Sequence, residues 1–328
     1  MDIEQAFNTL QTNVNANPDM VKEARRRRNL FINTFETLDD VERGRVSGSL
    51  ARGSQIDPIR DVDTYIEFAA AQHPTWGTPG TSAQDALDYT QTKVRELLGA
   101  TEGSFDQAVH LATTRNHSVK CFLDDPEDPD AFTVDVMPVL KQADGTLLIP
   151  EARSSRWVPA NPKYLIDEVA ARHSSWNRFV PVVRLIKRWT REQSTGIKPL
   201  VLEVMALQHL PEAATRGEAL KLFFAAANYH IAWPVVDPAG LCGEIQPDMD
   251  KAAAKKFLEE AAEISYRAED ARARGETDEA ACLWCKLFGD AFPEPEGGCG
   301  GIQWGGAIGG AGAAVVSRPR KPKDTPQG

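Results

Sequence analysis

Asp61 and Asp63 stand two positions apart in DVDTYIEF, and Asp135 lies in FTVDVMPVL. In an extended strand, alternate side chains share a face. Asp61, Asp63, Tyr65 and Glu67 then point one way, and Val62, Thr64, Ile66 and Phe68 point the other, toward a core. Neighbouring carboxylates repel and raise one another's pKa unless a cation sits between them. Oxygen-only donors suit magnesium, with manganese as a substitute, better than zinc. In the second segment Phe132, Val134 and Val136 share a face, so Asp135 points the opposite way. If the two strands pair side by side, the three aspartates can hold two metal ions about 3.5–4 Å apart, an arrangement suited to phosphoryl transfer.

Upstream, Gly48-Ser49 sits in SGSLARGSQIDPIRD. Glycine lets a backbone approach a phosphate closely, and the serine hydroxyl adds a donor. Either piece alone is commonplace, as a turn or a solvated acidic pair. The order Gly-Ser, Asp-x-Asp, then a third strand aspartate points to nucleotidyl transfer. There is no G-x-x-x-x-G-K-[ST] loop, so P-loop chemistry is not indicated.

The elements that must position these residues follow from pattern. Helical spacing of apolar residues predicts a helix over residues 3–37 and another over 85–98, ended by Gly99. Strands are expected at 61–68, 117–123 and 131–140, with the acidic DDPEDPD connecting the last two and a further turn at Asp144-Gly145. Residues 163–288 read as mostly helical, with Gly275 as a C-cap before a last helix through Phe288. From 295 on, Gly, Ala and Pro dominate, and such composition cannot bury enough apolar area to order itself.

The 328 residues carry a net charge of -10, which disfavours a dedicated binder of long nucleic acid. No segment is apolar enough to span a membrane and no signal peptide is visible, so a cytoplasmic protein is expected. An odd count of five cysteines favours reduced thiols, with Cys282 and Cys285 as core residues rather than a zinc half-site. The arginine run 25–28 reads as a solvated helix face, with a polyanion contact as the alternative.

SGSLARGSQIDPIRDVDTYI, VDVMPVL, RWVPANPKYL, RLIKRWTREQ with LVLEVMAL, and DEAACLWCKLFGDAFP together resemble the polymerase-beta-like nucleotidyltransferases. Within them, the chain is similar to the bacterial CD-NTases of CBASS antiviral systems, relatives of cGAS and oligoadenylate synthase. The resemblance implies an α+β fold of two lobes: a mixed-sheet catalytic lobe with its N-terminal helix (1–162) and a helical lobe (163–294). It also implies an active site in the cleft between the lobes; residues 295–328 would be a flexible tail. It implies Asp61, Asp63 and Asp135 as ligands of two magnesium ions, Gly48 and Ser49 as triphosphate contacts, and Lys187 as a helical lysine on the triphosphate. On that helix, Val183, Ile186 and Trp189 would face the core. Asn161 could read a base edge or simply cap a turn before Pro162; Arg52 and Lys163 are further candidate anion contacts.

The implied activity joins nucleoside triphosphates (ATP, with GTP, UTP or CTP) into a cyclic di- or trinucleotide that signals to a separate effector. The C-terminal tail could meet ubiquitin-transfer-like regulators. The rival readings are transfer to another acceptor, such as tRNA, a protein or a small molecule, and a catalytically silent nucleotide-binding or antitoxin-like module.

Overall fold

The computed structural model of the protein describes residues 2–100 and 107–300. The chain opens with α1 (Ile3–Val14) and α2 (Pro18–Phe35) rather than one helix over 3–37. The break is chemical: Pro18 cannot donate within a helix, and the Asn17 side chain accepts from the Asp19 N–H to cap α2. There follow β1 (Val41–Ser47), the short α3 (Gly48–Ala51), β2 (Asp61–Phe68), α4 (Ser82–Leu98), β3 (Leu111–Thr114), β4 (Val119–Phe122), β5 (Thr133–Lys141), β6 (Leu147–Glu151) and β7 (Arg156–Ala160). Six helices come next: α5 (Pro162–Ser175), α6 (Phe179–Glu192), α7 (Pro199–His209), α8 (Arg216–His230), α9 (Lys251–Arg274) and α10 (Thr277–Phe288).

The chain divides into two units, and a single cut at 162 does not describe them. One unit comprises 16–171 and 236–245. The other comprises 1–15, 172–235 and the described residues from 246 on. The N-terminal helix α1 thus belongs with the helices, and a short loop from the helical stretch belongs with the sheet.

The sheet unit is a mixed sheet in the order β1-β2-β5-β4-β3, with β6 on β5 and β7 on β6. Only β2 and β5 run parallel; the other pairs are antiparallel. Helices α2 and α4 cover one face. Val62, Ile66, Phe68, Val134 and Val136 on the sheet meet Phe31, Phe35, Ala86 and Val94 there, all buried. Asp40 is buried beneath this layer, where His73 Nε2 lies 2.8 Å and the Tyr89 hydroxyl 2.6 Å from its carboxylate. The arginine run is partly absorbed into the unit: Arg27 pairs with Glu23 and Asp124 and lies over the Phe132 ring, and Arg28 is buried.

In the helical unit, α6 buries Val183, Ile186 and Trp189, as its periodicity implies. Pro181 is tolerated because it falls in the first turn. Phe7 of α1 meets Trp284 and Phe292 edge-on, with centroids 5.1 and 5.2 Å away. Helix α9 ends at Gly275, whose φ of 83° suits a glycine C-cap.

Cys282 does not remain a thiol. After α10 the chain folds back through a turn at Pro295–Gly298 and brings Cys299 to a Cα separation of 5.5 Å, where the two form a disulfide. Cys121, Cys242 and Cys285 remain thiols. The rest of the expected tail, residues 301–328, lies outside the described residues. Among the described residues no helix is long and apolar enough to cross a membrane.

Candidate active site

The parallel pairing of β2 with β5 puts Asp61 beside Thr133, Val62 beside Val134 and Asp63 beside Asp135. The register therefore aligns Asp63 and Asp135 directly on the face away from α2 and α4. On the outer side of β2, Ser47 of β1 is level with Asp63; on the outer side of β5, Lys120 of β4 is level with Asp135. Ser118 donates to the Asp135 carboxylate at 3.4 Å.

Gly48 is fixed by the same arrangement. Its φ is 70°, and a Cβ there would fall 1.7 Å from Asp63 Oδ2, so any other residue would displace the carboxylate. Ser49 and Arg52 follow on the same short helix and its cap. Burial, then the charges of Asp61 and Asp135, push the Asp63 carboxyl up to about 7; Arg52 and Lys120 pull it down. The two cations do not offset the crowding of three carboxylates.

That surplus of negative charge, with oxygen donors only, fits hard divalent cations. Among the described residues no three His, Cys, Asp or Glu side chains are drawn tightly enough together to form a ready metal cage. A cation bound among these carboxylates would relieve the repulsion that raises the Asp63 carboxyl.

The other candidate residues lie on other elements. The Asn161 side-chain oxygen accepts from the Tyr164 N–H at 3.1 Å, so the cap role is realised. Lys163 is exposed and pairs with Asp167 one turn along α5. Lys187 lies in the helical unit, neither on a solvated face nor beside the aspartates in sequence. It is buried and paired with the fully buried Glu203 of α7. Lys120, Ser118 and Glu203 were not singled out from sequence. Lys120 had a usable signal, as the one charge between buried Val119 and Cys121 in a short strand.

A nucleotidyltransferase-type centre is the class this geometry defines, and comparison with known proteins narrows it. Residues 1–172 match the Second Messenger Oligonucleotide or Dinucleotide Synthetase domain, and the chain belongs to that family. Cyclic AMP-AMP-AMP synthase of Acinetobacter sp. (strain ATCC 27244 / 9458) is 25% identical over 173 residues, 49% of this chain and 50% of that protein. The match thus spans about half the length of this curated relative.

Solved structures share the fold over more of the chain. E. coli MS115-1 CdnC, in complex with HORMA-deltaN, superposes with a TM-score of 0.67 at 18% identity, covering 88% of this chain and 98% of that one. Vibrio cholerae DncV cyclic AMP-GMP synthase, in complex with a linear intermediate, superposes with a TM-score of 0.56 at 14% identity, covering 88% and 87%. The architecture is that of the CD-NTases.

Proposed function

We propose that the protein joins nucleoside triphosphates, without a template, into a cyclic di- or trinucleotide and releases pyrophosphate. The observation that carries this reading is the register of β2 on β5, which sets Asp63 against Asp135 with Asp61 on the same face and Gly48 against Asp63. Family membership and the relative named for a cyclic trinucleotide support it.

Asp61, Asp63 and Asp135 would hold two divalent cations, magnesium in this reading. Bound there, such ions supply neutralisation of phosphate charge and acidify an attacking ribose hydroxyl. The protein's own groups do the remaining work. Gly48 lets the backbone approach a phosphate, and the Ser49 hydroxyl donates to a phosphate oxygen. Arg52 and Lys120 offset part of the negative charge around the carboxylates, so positioning and electrostatics carry the rate. Lys187 reaches a triphosphate in this reading only by sharing or releasing Glu203. In this reading the sheet unit carries the reaction, which takes place in the cytoplasm. CdnC is solved with a HORMA partner, which supports regulator binding as a class; the regulators we assign to this chain are ubiquitin-transfer-like partners at the C-terminal tail, and the cyclic product would carry the signal to an effector.

Incubating the full chain with the four labelled ribonucleoside triphosphates and magnesium tests this. A phosphatase-resistant product, identified by mass spectrometry and lost in Asp61→Asn and Asp135→Asn, is expected. No such product, or a product undiminished in Asp135→Asn, defeats the reading.

A further inference from the structure

Helix α10 carries Cys282 and Cys285 one turn apart, and the chain returns past both of them. Cys282 is buried and bonded to Cys299. The Cys285 sulfur lies 3.6 Å from the carbonyl oxygen of Phe292 and 3.8 Å from that of Pro293. Phe292 is buried on Phe7, so apolar contact holds the chain at that point. Beyond it the hold is different. Residues 294–300 read EPEGGCG, without a large apolar side chain; Pro295 is buried, and Glu294, Glu296, Gly297 and Gly300 are exposed. The Gly298 N–H donates to Pro295 O at 2.8 Å, a bond within the segment itself. The disulfide is therefore the covalent pin between this segment and α10.

The two bonded sulfurs are not equivalent. Cys299 is half-buried on an exposed stretch, whereas Cys282 belongs to the buried face of α10. An external thiolate meets the Cys299 sulfur first. Breaking the bond leaves both partners in acceptable surroundings. A buried thiol behaves as a small apolar side chain, and the polar segment can return to water. The packing of Trp284 and Phe292 on Phe7 does not pass through the disulfide. Cys121, Cys242 and Cys285 are thiols in the same molecule. The cytoplasm proposed above keeps thiols reduced, and disulfides there are as a rule transient and redox-sensing. Cys285 is poorly suited to exchange: burial, then the charges of Glu294 and Asp290, push its thiol up to about 11, so it stays protonated.

We propose that Cys282 and Cys299 form a reversible redox clasp, opened by thiol reductants and closed by disulfide oxidants, which docks residues 294–299 on α10 or releases them. In opening, a reductant thiolate attacks the Cys299 sulfur, the bond to Cys282 breaks, and Cys282 leaves as a thiolate that takes a proton. A second reductant thiolate then attacks the reductant sulfur of the mixed disulfide and displaces Cys299, which is protonated in turn. The protein gains two electrons and two protons, and two reductant thiols become one disulfide. Closing is the reverse. The clasp stands whether or not the protein transfers nucleotides.

The test equilibrates the full chain in a series of ratios of reduced to oxidised glutathione. One portion is quenched in acid, alkylated and mapped by peptide mass spectrometry. Another is treated with glutamyl endopeptidase, and cleavage of the Glu296–Gly297 bond reports docking. Cys282 and Cys299 should pass together from paired to alkylated while circular dichroism stays unchanged. Cleavage should quicken about tenfold on reduction, because a released segment enters a protease more often. Cys299→Ser should be cleaved at the reduced rate in every buffer, and Cys285→Ser should follow the parent.

The inference is overturned if Cys282 and Cys299 pair at no ratio, or if the pair opens only when the protein unfolds. Cleavage at one rate in both states overturns it too, as does pairing of Cys285 with Cys299 in its place. If Cys299→Ser does not fold, reduction of the parent decides.

Discussion

Asp63→Asn should make the metal-free protein more stable at alkaline pH while removing its activity. The Asp63 carboxyl titrates near 3.8 in an unfolded chain and at about 7 in the folded one, through burial and the charges of Asp61 and Asp135. A raised carboxyl pKa means the folded state holds the proton more tightly. Its stabilising effect is full below the unfolded value and is lost as pH rises through the folded value. Integrated over that interval, the loss is on the order of 4 kcal/mol, more than half of it between about pH 5 and pH 8. Asparagine cannot ionise, so the variant lacks this slope.

Urea unfolding in EDTA near pH 5 and near pH 8, for both proteins, measures the difference directly. Half the expected slope would still exceed the error of extrapolation. Magnesium near pH 8 should then stabilise the parent more than Asp63→Asn, because only the parent keeps the full carboxylate set. If the two proteins track each other within about 0.5 kcal/mol between those pH values without metal, Asp63 is not under the proposed repulsion. The account of the site then fails at its base.

Three further outcomes are expected. Gly48→Ala should lower pyrophosphate release about 100-fold, because its Cβ displaces the Asp63 carboxylate and misplaces whatever that group holds. Lys187→Met should cost about 3–5 kcal/mol in urea unfolding by stranding Glu203, and the pair Lys187→Met with Glu203→Leu should recover most of it. If that double variant is stable yet inactive with triphosphates, Lys187 also serves catalysis. Asp40→Ala should cost about 2–3 kcal/mol by leaving the His73 and Tyr89 donors without their shared acceptor.

The strands that carry the aspartates were legible because period-two alternation is strong where one face is a core. Val62, Ile66 and Phe68 on β2, and Val134 and Val136 on β5, gave both the strand and the sense in which the acids point. Alternation fixes a face and not a neighbour, so the pairing of β2 with β5 and its register needed the fold. β1 was missed because VERGRVS is a polar edge strand with little buried apolar surface. β7 was missed because Pro159 discounts a strand except at an edge, which is where it lies. The rotation of α6 was readable from Val183, Ile186 and Trp189, but the burial of Lys187 depended on Glu203 from another helix. Pairing of Cys282 with Cys299 likewise depended on a turn that composition alone reads as unordered.

The residues around the carboxylates are explained by one another more than by any motif. Asp63 takes the space that a side chain at residue 48 would need, so glycine there is a steric requirement of the acid. Asp135 has Lys120 level with it and Ser118 donating to it, both supplied by β4 through antiparallel pairing. A slip of one residue between β2 and β5 would set Asp63 beside Val134 or Val136 and take Asp135 out of line with it. A slip that reversed the faces would drive the acids into the layer under α2 and α4 and bring valines to the surface. The hydrophobic core therefore holds the register on which the chemistry depends. The energy that crowding at Asp63 costs the metal-free fold is supplied by burial of the apolar residues between its acids. Core and site are thus two faces of the same two strands.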